Sequence, residues 1–167
     1  IKPNVGGSSF GVTKVKEQSQ IQPAIEKAFS EGIEVLIETF TPGKEFTCGM
    51  YKTKTKTTVF PVTEIVPKNE FFDYGAKYNN ESEEITPARI SENLTARIQK
   101  LTEAIYDILG CKGIIRVDYI ISEGEIINLL EVNTTPGMTV TSFIPQQVRA
   151  AGIDIRNVMT DIIEDSF

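Results

Sequence analysis

Two short segments, GIIRVDYII (113–121) and EIINLLEVN (125–133), separated only by Ser122-Glu123-Gly124, constrain this chain more than any other feature. Two β-branched, apolar runs this close in sequence form an antiparallel hairpin. Side chains alternate along a strand, so Arg116 and Asp118 share one face while Ile115, Val117, Tyr119 and Ile121 point to the other. By the same parity Glu131 and Asn133 share a face. A two-residue type II′ turn at Gly124-Glu125 sets Asp118 opposite Glu131 and Arg116 opposite Asn133, and a slip of two positions would keep the same faces. Directly opposed carboxylates destabilise a sheet unless positive charge lies between them. Two answers remain open at this point. One is a hard divalent cation such as Mg²⁺, which suits oxygen donors without His or Cys. The other is a solvated face on which Arg116 neutralises both acids.

Around this hairpin the pattern predicts an α+β chain. A helix over Ser91–Leu109 carries Leu94, Ile98, Leu101, Ile105, Ile108 and Leu109 as an apolar stripe, with Gly110 as its stop. A second helix places Ile21, Ala24, Ile25, Ala28 and Phe29 at helical spacing, with Ser19 as cap and Pro23 near its start. VTKV (12–15) reads as a short strand, IEVLIETF (33–40) as a buried one and EFTCGMYK (45–52) as its successor after the turn TPGK. This pair joins two lobes around Pro42-Gly43. Lys52, Lys54 and Lys56 alternate with threonines and read as the solvated edge of an extended segment. From Val66 to Thr86 the chain is polar, charged and aromatic without a sustained period, as in a long functional loop. After the turn NTTPGMT, two short helices split near Gly152 close the chain.

Composition excludes several chemistries. With no histidine among 167 residues, neither a Ser-His-Asp or Cys-His centre nor a His-based zinc site is available. Catalysis then falls to carboxylates, Lys, Arg, Tyr or backbone groups. A net charge of -6 argues against a nucleic-acid partner, because such affinity is built from clustered Lys and Arg. No run of about 18 apolar residues offers a membrane span, so a cytoplasmic protein is expected. Cys48 and Cys111 read as buried free thiols. A first residue other than Met, at the start of a strand entering a glycine-rich loop, points to a piece of a longer chain.

That loop, KPNVGGSSFG, surrounds two serines with glycines and opens on Lys2, a composition that lets backbone N–H groups approach a phosphate closely. The Walker spacing of Gly, Lys and Ser or Thr is absent, as is the kinase catalytic-loop histidine. A nucleotide site here belongs to neither type.

In order and spacing, KPNVGGSSFGVTKV, LIETFTPGKEFT, DYGAKY, GIIRVDY and LLEVNTTPGMTVTSFIP resemble the successive signatures of D-alanine:D-alanine ligases, and the resemblance covers essentially the whole chain. It implies an ATP-grasp fold, an antiparallel sheet flanked by helices, with residues 1–43 as part of the smaller lobe and 44–167 as the carboxy-terminal catalytic lobe. It implies further that Lys2 and Lys77 contact ATP phosphates, that Glu38, Phe40 and Thr41 hold the adenine, and that Glu45 meets the ribose. Asp118, Glu131 and Asn133 match the ligands of two Mg²⁺ or Mn²⁺ ions. Arg116 and the Gly137 N–H match the pair that steadies an oxyanion, and Ser142 with Phe143 matches the site for the second D-alanine. Ser8 and Tyr78 match a hydrogen-bonded pair that closes a lid, in which Tyr74 also lies. Where relatives that make D-alanyl-D-lactate usually carry histidine, this chain has Tyr78, which favours a D-alanine nucleophile.

The implied partners are ATP and two D-alanines, in a homodimeric full-length enzyme serving peptidoglycan synthesis. The implied reaction runs through an acyl phosphate. The piece alone would lack the family's remaining site residues and be inactive.

Overall fold

A computed structural model describes residues 1–5, 9–67 and 82–167 of the chain. These fall into two compact units, one of residues 1–5, 9–41, 67 and 82–83 and one of residues 42–66 with 84–167.

In the first unit, β1 (Lys2–Pro3) pairs antiparallel with β2 (Val35–Leu36), Lys2 opposite Leu36. Helix α1 (Ile21–Phe29) follows a 3₁₀ turn at Gln18–Gln20 and buries Ala24 and Ala28. VTKV forms no strand: Thr13 exchanges two hydrogen bonds with Ile1, at 2.8 and 3.0 Å, and a single rung does not make a ladder. The expected buried strand over 33–40 shrinks to two residues because β1 offers only two partners, leaving Ile33, Ile37 and Phe40 exposed. The cap of α1 also differs. Ser19 lies inside the 3₁₀ turn, and Gln20, the residue before α1, makes no side-chain cap bond to the helix; its Oε1 accepts the backbone N–H of Lys16 at 2.8 Å and of Glu17 at 3.2 Å, ahead of the 3₁₀ turn.

The second unit is built on an antiparallel sheet. Its strands are β3 (Lys44–Lys52), β4 (Thr57–Val59), β5 (Thr63–Pro67), β6 (Ser82–Ile85), β7 (Gly113–Ser122) and β8 (Ile126–Asn133). The order is β6-β5-β3-β7-β8, with β4 extending the β5 side of β3. One face lies under α2 (Glu92–Ile108), where Phe46, Cys48 and Met50 meet Val117, Tyr119, Leu94, Ile98 and Tyr106 in the main core. The opposite face is covered at one end by α3 (Phe143–Ala150) and α4 (Ile155–Asp165), which bury Tyr51, Phe60, Ile144, Val148 and Val158.

Helix α2 has the expected bounds. Ser91 Oγ accepts the Leu94 N–H at 3.1 Å, and Gly110 adopts φ 60° just past the end, a conformation that glycine takes without a Cβ penalty. The stripe ends sooner than predicted, with Ile108 81% exposed beyond the last sheet contact. The lysines are not one extended edge. Lys52 ends β3, Lys54 lies in the turn and Lys56 ends it, and each meets a different acidic residue: Asp107, Asp165 and Asp161. Of the expected loop, Val66–Pro67 and 82–85 are strands; residues 68–81 lie outside the described residues. Strands β4 and β5 were not anticipated, being too short to show a period. Both cysteines are free, Cys48 fully buried and Cys111 half-buried, and burial pushes the Cys48 thiol up to about 12.

Candidate active site

The uncovered end of the second sheet face is polar, and strand parity makes it so. On β3, Glu45, Thr47 and Gly49 share this face; on β7 so do Asp118 and Arg116, paired with Thr47 and Gly49 respectively. On β8, Glu131 stands opposite Asp118 and Asn133 opposite Arg116. This is the predicted opposition, reached by another route. The turn spans Glu123–Glu125, with Ser122 opposite Ile126, so Gly124 and Glu125 both take positive φ (74° and 56°). That register alone would set Asp118 out of step with Glu131. A bulge between Asp118 and Tyr119, where Leu130 has no partner, restores it.

Arg116 and Asp118 are both buried, and their side chains meet two-fold. Nε donates to Oδ1 at 2.8 Å and Nη2 to Oδ2 at 2.7 Å. Nη2 also lies 3.8 Å from Glu131 Oε1, whose side chain is 59% exposed. Burial works against the Arg116 charge, but Asp118, Glu131 and Glu45 outweigh it and hold the guanidinium pKa above its ordinary value. The Phe143 ring centroid lies 5.2 Å from Arg116 Cζ, within cation–π range.

The turn after β8 brings the remaining predicted residues of this unit together. Asn133 Oδ1 accepts the Thr135 N–H at 3.0 Å, which folds the chain back. Gly137 follows, and a Cβ there would stand 2.9 Å from Ser142 Oγ. Ser142 caps α3 without a side-chain cap bond; its Oγ instead meets Thr139 Oγ1 at 2.7 Å and its N–H donates to Thr139 O at 2.9 Å. Thus Ser142 and Phe143 start a helix whose first turn stands beside Arg116.

In the first unit, Lys2 Nζ lies 2.8 Å from Glu38 Oε2, so two of the predicted nucleotide residues are paired with each other. Phe40 lies under Lys14, whose Nζ is 3.4 Å from the ring centroid. Thr41 ends the first stretch of this unit and is half-buried. Ser8, Lys77 and Tyr78, with Tyr74, lie outside the described residues.

The donor set on the polar face fits a hard divalent cation. Asp118 and Glu131 supply carboxylates and Asn133 an amide oxygen, with Glu45 a further carboxylate on the same face, and oxygens of these kinds are the donors that such a cation takes. Among the described residues no cluster of three or more His, Cys, Asp or Glu converges on one point. Sequence reasoning missed Lys14, Thr47 and Gln147. Only Lys14 left any signal, as a cation alternating with apolar residues. Among the described residues Thr47 Oγ1 is buried without a hydrogen-bond partner, directly across from Asp118. Gln147 is fully buried and bonds to β3 across about a hundred residues of sequence.

Comparison with known proteins shows the family and the fold. The sequence model of the family described as D-ala D-ala ligase C-terminus matches residues 1–164. The whole chain is 76% identical to part of the D-alanine--D-alanine ligase of Bacteroides fragilis, covering 52% of it. The chain therefore spans about half the length of the curated relatives it matches. Its fold is similar to that of the VanG D-Ala:D-Ser ligase from Enterococcus faecalis, with a TM-score of 0.86 at 37% identity over 98% of this chain and 48% of that one. It is likewise similar to the D-alanine--D-alanine ligase of Bacillus anthracis complexed with ATP, with a TM-score of 0.78 at 33% identity over 99% of this chain and 50% of the other.

Proposed function

This chain belongs to the D-alanine:D-alanine ligase family, and on that premise we propose that it forms the catalytic half of an ATP-dependent ligase that makes D-alanyl-D-alanine. The observation that carries the reading is the convergence of Arg116, Asp118, Glu131, Asn133 and the Phe143 turn on one sheet face.

In this reaction the carboxylate of the first D-alanine attacks the γ-phosphate of ATP, forming an acyl phosphate and releasing ADP. Two anions have to meet, and Lys2 with Lys77 would screen them and orient the in-line transfer. Asp118, Glu131 and Asn133 would hold Mg²⁺ or Mn²⁺, which when bound neutralises charge on the phosphates. Glu38, Phe40, Thr41 and Glu45 would seat the adenosine. The amine of the second D-alanine, its carboxylate placed by Ser142 at the start of α3, then attacks the acyl carbonyl, and phosphate leaves.

Negative charge grows on the carbonyl oxygen in that step, where the Arg116 guanidinium and the Gly137 N–H would receive it. Arg116 suits the task. Two of its five N–H groups are spent on Asp118, which leaves others to donate while Asp118 keeps the side chain aimed. Ser8 and Tyr78 would shut the site against water, which would otherwise hydrolyse the acyl phosphate. We place the reaction in the cytoplasm, in a homodimer, upstream of cross-linked peptidoglycan; among the described residues no helix is long and apolar enough to cross a membrane.

The test is phosphate release by the full-length protein with Mg-ATP and D-alanine, alone or with D-lactate or D-serine, followed by product identification. Release that depends on D-alanine and yields the dipeptide supports the reading. A product carrying D-serine or D-lactate moves the second substrate elsewhere, and no D-alanine dependence discards the assignment.

A further inference from the structure

Helix α3 is fastened to the sheet by one side chain that the reaction itself does not need. Gln147 is fully buried, and its amide makes three hydrogen bonds: Oε1 accepts the Gly49 N–H at 2.9 Å, while Nε2 donates to Thr47 O and to Thr63 Oγ1, both at 3.0 Å. The reason lies in the strand it touches. Along β3, pairing with β5 stops at Thr47 and pairing with β4 starts at Met50, so among the described residues the Gly49 N–H has no strand partner on that side and turns to Gln147. The Gln147 amide takes the place of a peptide group in this gap.

Glycine at 49 is required for the approach. A Cβ would stand 2.2 Å from Ile144 Cδ1 and 2.7 Å from Gln147 Oε1.

The two residues held are the register partners of the site: Thr47 pairs with Asp118 and Gly49 with Arg116. Residues four apart on a helix lie on the same face, so one turn before Gln147 the Phe143 side chain points the same way, over Arg116. Apolar packing of Ile144 and Val148 would hold α3 against the sheet but would tolerate sliding, whereas three directional bonds set one position.

We propose that Gln147 is a positioning residue for the second-substrate subsite: it sets where the first turn of α3, with Ser142 and Phe143, stands over the Arg116–Asp118 pair. The inference rests on the ligase reading above.

The test uses the full-length protein carrying Gln147→Met, which keeps the volume and removes all three bonds. Gln147→Glu, which keeps the bond from Gly49 N–H, serves if the first variant does not fold. Assayed well below the unfolding temperature, the KM for the second D-alanine rises about tenfold while the KM for ATP stays within twofold. A merely structural role would lower the melting temperature and the active fraction without this split. In a Phe143→Leu background the tenfold rise shrinks to less than threefold, because the two residues act through one helix turn. A folded variant with both KM values near wild type overturns the proposal, as does an equal rise in both or full additivity with Phe143→Leu. The wild-type control separates the two levels: absence of D-alanine-dependent phosphate release there removes the ligase reading itself.

Discussion

Arg116 grips both carboxylate oxygens of Asp118, at 2.8 and 2.7 Å, from two positions along on the same strand. The pair joins residues that the proposed reaction puts to different work, one toward an oxyanion and one toward a cation. A buried guanidinium needs such a partner, since an unpaired buried charge is strongly unfavourable.

Replacing Arg116 by Met in the full-length protein is therefore expected to act twice. Turnover falls about a hundredfold or more, the effect of losing one oxyanion donor, while the KM for ATP changes little. Asp118 is left buried without its partner, so the variant also melts earlier. Steady-state kinetics with ATP varied and thermal unfolding read the two effects, and wild-type turnover would discard the oxyanion role.

Glu131→Gln removes one proposed cation ligand from the exposed side of the pair. The Mg²⁺ concentration needed for half-maximal activity rises about tenfold or more, with little loss of stability, because this side chain is mostly in solvent. An unchanged magnesium titration returns Glu131 to the role of a solvated acid facing Arg116.

Glu64 gives the acid limb of the stability curve a local origin. The hydrogen bond from Arg89 Nε, at 2.9 Å, holds its carboxyl below its ordinary value of 4.5. The folded state thus binds this proton less readily than the unfolded chain. The stabilisation is fully present above about pH 4.5 and is lost as the pH falls through the folded value. Melting temperatures taken between neutral pH and acid fall less steeply in Glu64→Gln than in wild type; parallel curves would show that Glu64 contributes nothing.

Gly49→Ala adds one methyl group where three side chains already stand, the nearest atom 2.2 Å away. Overpacking of this kind costs about 1 to 3 kcal/mol, and here it also pushes Gln147 from its bonds. A melting temperature equal to wild type would show that α3 gives way freely.

Much of the architecture was legible because it is local. The Ser91 cap, the stripe of α2 and the Gly110 stop lie within one helix and act over three or four residues, so sequence spacing expresses them directly. The faces of the carboxylate hairpin were legible for the same reason. Arg116 with Asp118, and Glu131 with Asn133, differ by two positions, and no choice of turn moves them to opposite faces. The expected strand over 33–40 is not formed in full, because the β-branched run meets a partner of only two residues.

The sequence by itself determined which side chains share a face, because alternation along a strand is a property of the backbone. Only the tertiary structure decided which rung each occupies, through a three-residue turn and a compensating bulge at Leu130. It alone also decided that a glutamine 98 residues from Gly49 in sequence completes the hydrogen bonding of β3 beneath the candidate site. That contact exists because two neighbouring strands leave a gap on β3. No periodicity in the sequence encodes a gap.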